Sequence, residues 1–444
     1  MLSVEDNEIL TRVGPGTLMG NLLRRYWIPA CLSSEIAEPG SAPLRVRLLG
    51  EDLVAFRDTR GEVGLVAENC PHRGASLYFG RNEDCSLRCV YHGWAFDRNG
   101  DCTDMPSEPR PFKERIRITA YPTHESGGVV WTYMGPKETI TAFRDFGTET
   151  LPADQASAFK GYTDCNWVQS MEGNLDSAHI SFLHQFNAID EIADDGTDQP
   201  GYPSNAMSMK FWRHDKAPRF EMEETWFGYR YGALRTTPNG HTHVRINAFV
   251  FPFNTLVANV PFSTGQGVFV PADDTHTWRY FFATQPRSNP RGLGGAPFFA
   301  VPQYPYAPLQ GVRSGGSGVI PRLWTADNEY QIDRDAQRRT TFSGVNDFQS
   351  QDLMVTESMG PIYDRSKEHL GTTDVAIIRM RTLLINAAKA LAEGKEPPAV
   401  GADHDYRSIR VGEKVLAPGE DWKIVGSDAD PIVQEALGLD PSGV

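Results

Sequence analysis

The sequence predicts an α+β fold in two parts. A small antiparallel β domain comes first, and a larger domain follows, with an antiparallel sheet flanked by helices. Short alternating runs broken by turn residues fill residues 45–140. A helical stretch at Trp167–Leu183 is followed by strand-like runs rich in aromatic residues. The 444 residues are room for two or three domains at roughly 150 residues each. The polar segment Ala142–Lys160, with Pro152, marks the boundary and divides the chain into 1–155 and 156–444.

Taken in order, Asp6–Val13 and Leu18–Trp27 have helical character and are separated by Gly14-Pro15-Gly16. From Arg45 the texture becomes β. Val46, Leu48, Val54 and Phe56 alternate around a Gly50-Glu51-Asp52 turn, and short strands continue to Val129–Met134. Beyond the helical stretch, strands are expected at Met207–Trp212, Phe220–Leu234, His243–Val260 and Thr277–Thr284. Residues 287–322 are rich in Gly and Pro and read as a long loop or lid. Helices are expected at Arg334–Phe342 and Val375–Ala392, and the acidic tail from Gly401 reads as a surface wrap.

Composition narrows the function. Forty-three basic and fifty-seven acidic residues give a net charge of −14, against the basic stripe of a nucleic-acid binder. Six cysteines are too few for a disulfide scaffold, so fixed Cys/His spacings read first as metal or catalytic sites. The acidic start, Met1–Asn7, has no cationic segment leading into an apolar one. The longest charge-free run, Ile246–Ala272, contains Pro252, Asn254, Asn259 and Pro261, which would be costly in lipid. A cytoplasmic protein without a membrane span is the expectation.

Cys70-Pro71-His72-Arg73-Gly74 and Cys89-Val90-Tyr91-His92-Gly93-Trp94 each carry one Cys and one His. A zinc ribbon would more often pair two cysteines in each knuckle. One Cys and one His per knuckle lets one iron take both thiolates and the other both imidazoles, the arrangement of a Rieske [2Fe–2S] cluster. Cys31, Cys85, Cys102 and Cys165 read as small apolar residues or surface thiols. Farther on, Asp176 and His179 are i, i+3, while His179 and His184 are five apart. Five residues are about 140° around an ideal helix, so both histidines reach one ion only if the helix bulges or ends between them. Alone, the pair could equally be two satisfied histidines.

With these motifs the chain resembles the Rieske non-haem iron ring-hydroxylating oxygenases, in their phthalate-dioxygenase-like branch. The resemblance spans both parts and is patchy between the motifs. It implies a helix-grip-like catalytic domain. Cys70, His72, Cys89 and His92 would hold the cluster, and His179 and His184 a mononuclear Fe(II). Asp176 would bridge to His92 of a neighbouring chain in a homotrimer or a multiple of one. The third iron ligand would be Asp352, in the phrase Gln351-Asp352-Leu353-Met354. Spacing alone does not choose Asp352 over Asp347 or Glu357.

The implied activity is O2-dependent hydroxylation, as a dioxygenase or monooxygenase, of a small aromatic substrate, with NADH as ultimate donor. Gly315-Gly316-Ser317-Gly318 lacks the context of a nucleotide loop, so a separate reductase, with flavin or iron–sulfur centres, is expected. This branch handles aromatic carboxylates, which suggests an arginine in the pocket. Arg245 is the candidate, with Arg213, Arg219 and Arg235 as rivals. The same iron centre could instead perform O- or N-demethylation. An electron carrier without catalysis is the alternative of another class, and it would hold about two irons per chain instead of about three.

Overall fold

A computed structural model describes residues 1–147, 156–186, 195–258, 262–263, 266–284, 324–345, 347–401 and 403–437. The expected loop at 287–322 and the glycine run at 315–318 lie outside them.

Ser3 caps the first helix, Val4–Thr11, its Oγ accepting the Asp6 N–H. Thr17 caps Leu18–Leu23 in the same way through the Gly20 N–H. The second helix stops short of Trp27 because Trp27–Leu32 pairs as a strand with Val129–Tyr133. Thr123–Ser126 completes that three-stranded sheet. A four-stranded sheet joins Leu44–Leu48, Glu51–Arg57, Val63–Ala67 and Ala120–Tyr121. Another joins Arg81–Glu83, Ser86–Arg88, Ala95–Asp97 and Cys102–Asp104. One Cys/His loop follows Val63–Ala67, and the other joins Ser86–Arg88 to Ala95–Asp97.

The second part is built on an antiparallel sheet. Its order is Ala156–Thr163, Thr277–Thr284, Gln266–Pro271, Asn254–Leu256, Thr242–Val250, Gly228–Thr236, Arg219–Thr225. Helix Trp167–Leu175 lies on it, burying Trp167, Val168, Met171 and Leu175 against Gln266–Pro271 and its neighbours. Each large apolar side chain buried this way contributes roughly 1.5–3 kcal/mol, which fixes the helix against the sheet. One hydrophobic cluster runs from Leu48 and Val129 through Trp167 to Tyr229 and Tyr280. A separate cluster, with Phe56, Leu87, Trp94 and Phe96, sits beneath the two Cys/His loops.

Three further expectations are corrected, and one element is added. Met207–Trp212 lies in a helix, Asn205–His214, because Ser204 caps it through the Met207 N–H and its buried Met207, Phe211 and Trp212 follow helical spacing. The acidic tail is more than a wrap: Val411–Leu416 adds to the sheet beside Thr242–Arg245. The helix expected to run to Leu183 ends at Leu175. Phe348–Ser358, to which no element was assigned, is a helix capped by Asp347. Among the described residues no helix is long and apolar enough to cross a membrane.

Candidate metal centres

The two Cys/His loops are built alike. Gly74 N–H donates to Cys70 O at 2.8 Å, and Gly93 N–H to Cys89 O at 3.0 Å. Both glycines sit at φ +76°, the left-handed turn that glycine adopts without strain. Cys70 N–H then donates to Ala75 O, and Cys89 N–H to Trp94 O. The backbone thus folds each loop so that its Cys and His leave from one side. Both sulfurs are buried, and burial pushes the Cys70 thiol up to about 11, with the Cys89 sulfur beside it. The His72 and His92 rings lie 4.3 Å apart, and His72 stacks on Trp94 at 4.6 Å. His72 Nδ1 is buried with no partner among the described residues. The two thiols lie together, the two imidazoles lie together, and a ring nitrogen is left over, a donor set that fits a thiophilic metal or an iron–sulfur cluster.

The second group forms where a helix ends. Asn166 caps Trp167–Leu175 through the Val168 N–H, and Asp176 is the residue at which the chain leaves helical geometry (φ −66°, ψ 125°). No bulge is needed: a short 3-10 turn, His179–Ser181, follows, and His184 comes round to face His179. Their Nε2 atoms are 3.1 Å apart. Asp352 Oδ1 lies 3.1 Å from His184 Nε2 and 3.6 Å from His179 Nε2. These three residues are the candidate metal-holding group among the described residues, with all ligand atoms within 4.8 Å of one another. Burial works against the Asp352 charge, and the two histidines outweigh it, holding the carboxyl below its usual range. Two imidazoles and one carboxylate fit a divalent iron with positions left open.

The rivals to Asp352 have other partners. Asp347 accepts the Ser350 N–H as the helix cap. Glu357 accepts the Asp164 N–H and the Tyr330 hydroxyl. Asp176 accepts the Ala178 N–H at 2.6 Å, and its other oxygen lies 3.6 Å from His179 Nδ1.

Arg245 sits beside this group, on the strand Thr242–Val250. Its Nε donates to Glu413 at 3.0 Å and its Nη1 to Ser177 Oγ at 3.2 Å. Arg235, on the neighbouring strand, donates to Ser177 O at 2.6 Å, and its Nη1 is buried with no partner among the described residues. Burial and the Arg245 charge push the Arg235 guanidinium down to about 10, still cationic at neutral pH. Glu413 is shared with His243 at 3.1 Å and is held below its usual range: burial opposes its charge, and His243 and Arg245 outweigh that. Two buried guanidiniums therefore lie next to Ser177, and Glu413 pairs directly with that of Arg245. Arg213 lies in the last turn of Asn205–His214, and Arg219 is exposed and paired with Glu221. Sequence reasoning did not single out Glu413 or Gln351, whose Oε1 lies 2.6 Å from His184 Nδ1.

Residues 26–122 match the family model described as Rieske [2Fe-2S] domain, and residues 132–436 match LigXa C-terminal domain like. The chain is 36% identical to the phthalate 4,5-dioxygenase oxygenase subunit of Pseudomonas putida, covering 95% of this chain and 94% of that one. It is 37% identical to the 3-chlorobenzoate-3,4-dioxygenase oxygenase subunit of Comamonas testosteroni, over 95% and 97%. The 5,5'-dehydrodivanillate O-demethylase oxygenase subunit of a Sphingobium strain is 31% identical over 91% and 84%. Among solved structures, dicamba monooxygenase bound to dicamba shares the fold, with a TM-score of 0.55, 18% identity, and coverage of 84% and 100%.

Proposed function

The chain belongs to the Rieske non-haem iron oxygenases, and from that premise we propose that it hydroxylates a small aromatic compound carrying a carboxylate. It is the oxygenase component of such a system, and its electrons come from a separate reductase or ferredoxin. The observation that carries the reading is the convergence of His179, His184 and Asp352 in a chain that also brings together Cys70, His72, Cys89 and His92. When bound, the cluster supplies one-electron storage, and the mononuclear iron supplies oxygen activation.

The chain's own residues supply the rest. Cys70 and Cys89 would hold the cluster through their sulfurs, and His72 and His92 through ring nitrogens. His179, His184 and Asp352 would hold the iron, which as a three-ligand site would have positions free for O2 chemistry. Beside that site, Arg245 is clamped by Glu413 and turns an Nη toward Ser177. With Arg235, whose buried Nη1 has no partner among the described residues, it offers donors that a substrate carboxylate would take up. The names of two relatives, a phthalate and a chlorobenzoate dioxygenase, are in keeping with such a substrate.

We place the chains in a homotrimer or a multiple of one, with Asp176 accepting a hydrogen bond from His92 of the partner subunit. Val90 and Tyr91, next to His92, are 59% and 53% exposed, as an apolar loop tip awaiting cover is. A cytoplasmic location and the division at 155/156 complete this reading.

The test is a screen of aromatic acids with reductase, NADH and labelled O2. A product mass gain of one or two labelled oxygen atoms supports hydroxylation. Loss of a methyl group makes the chain a demethylase, the second reading that the dehydrodivanillate relative favours. About two irons per chain would instead leave only an electron carrier.

Two results are expected from substitutions here. In Arg245→Lys the charge stays but the two-pronged fork is lost, so KM for the acid rises about tenfold while that for a neutral amide analogue stays level. Equal KM changes for acid and amide would remove Arg245 from carboxylate recognition. In Gly93→Ala the new Cβ would stand 2.7 Å from Pro106 Cγ at φ +76°. The loop must shift, and the purified protein shows a lowered ratio of cluster absorption to protein.

A further inference from the structure

We propose that Gln351 is a positioning residue for the iron site: it sets the tautomer and orientation of His184, so that the Nε2 lone pair faces the metal. This rests on reading His179, His184 and Asp352 as the iron ligands.

Gln351 is 1% exposed and immediately precedes Asp352 on the helix Phe348–Ser358. A glutamine amide can present either oxygen or NH2 to a neighbour, so its orientation must be settled by its other contact. Here that contact is Val345 O, 2.6 Å from Gln351 Nε2. A carbonyl only accepts, so the NH2 is committed to Val345 and the amide oxygen to His184. That oxygen is 2.6 Å from His184 Nδ1 and carries no proton. The proton between them is therefore on Nδ1. A neutral imidazole protonated there has its free lone pair on Nε2, the atom that faces Asp352 and His179. Phe348, one turn earlier on the same helix, stacks on the His184 ring at 3.5 Å and 14° and sets its plane.

The two iron histidines are thus supported differently. His179 faces the Asp176 carboxylate at a loose 3.6 Å, and His184 faces a neutral amide at close range. One helix end supplies both a ligand and the prop for another ligand, because positions 351 and 352 point about 100° apart. His184 is 1% exposed, so water cannot replace the amide cheaply.

The test is Fe(II) binding to enzyme stripped of mononuclear iron by a chelator, with cluster absorption as the measure of intact protein. Gln351→Met keeps length and volume but cannot accept the Nδ1 proton, and is expected to weaken Fe(II) binding by about 10- to 100-fold. Gln351→Glu keeps an accepting oxygen and gives up the amide donor to Val345, and is expected to stay within about threefold of the parent. A role limited to tying the helix to Val345 predicts the reverse for glutamate, namely loss like that in Gln351→Met. The proposal is overturned by Gln351→Met binding as the parent does, or by Gln351→Glu failing; if the Met variant does not fold, the Glu variant alone decides. In Co(II)-loaded protein the ligand-field bands of Gln351→Glu shift from the parent's, which a purely structural tie would not cause. Failure of the iron-site reading itself is distinct, for then the parent chain takes up no Fe(II) beyond its cluster.

Discussion

Asp352→Ala is expected to give a folded chain that keeps its visible cluster absorption and has lost its mononuclear iron. Asp352 lies in the second turn of Phe348–Ser358, whose start is held by Asp347 through the Ser350 N–H. Alanine is the best helix former, so the substitution leaves the helix in place. Each of the described side-chain ion pairs of Asp352 is to a candidate iron histidine. What is removed is the one carboxylate among the three candidate ligands, so two imidazoles would face a divalent ion alone. Losing a group that only supports a ligand typically costs 10–100-fold in metal affinity, and losing the ligand costs more. Iron is expected to fall from about three to about two per chain, with turnover below about 1% of the parent. Asp347→Ala is the contrasting control: it costs about 1 kcal/mol of helix stability and leaves iron content unchanged. Iron retained at about three per chain in Asp352→Ala would take the ligand role away from Asp352.

The control also marks where the sequence was legible. The Cys/His loops are local: Cys, His and the turn-forming glycine lie within four residues, so the motif contains its own geometry. The meeting of His179 and His184 is local too: of the two devices expected, a bulge or a helix end, the chain uses an end, placed at Leu175 ahead of both histidines, with Asp176 as its cap. Asp347, Asp352 and Glu357 are alike on paper, and only the fold separates a cap, a histidine partner and a hydrogen-bond acceptor. Gln351 and Glu413 carried no signal at all. They meet His184 and Arg245 across 167 and 168 residues of chain, and nothing in the spacing of a polar residue records a partner that distant. Met207–Trp212 failed for a different reason, because alternation and helical periodicity overlap over six residues and the Ser204 cap decided between them.

Asp176→Asn is expected to keep both metals and abolish turnover. The substitution is close to isosteric, and the amide oxygen can still accept the Ala178 N–H that shapes the end of helix Trp167–Leu175. His179 keeps a polar neighbour, because the asparagine side chain still stands beside its Nδ1, where the Asp176 oxygen lies at 3.6 Å. Iron should therefore remain at about three per chain, with unchanged cluster absorption. What disappears is the negative charge. In the parent, burial opposes that charge, and His179 together with the Ala178 and His179 N–H groups outweighs burial, so the carboxyl sits below its usual range and is anionic at neutral pH. An anion at this place can accept a strong, charge-assisted hydrogen bond from a ring N–H of His92 of the partner subunit, and a neutral amide cannot match it. If that bond joins the two centres, NADH oxidation coupled to product formation drops by at least about 100-fold while O2-independent cluster reduction by the reductase stays normal. Coupled turnover near the parent's would detach Asp176 from the subunit boundary and leave it as a helix cap. The oligomer adds an independent check: Asp176→Asn chains mixed with His92→Ala chains should regain activity, because a His92→Ala chain keeps its own Asp176 and iron site and can take an intact His92 from an Asp176→Asn partner subunit. A mixture as inactive as either variant alone would remove the bridge between chains.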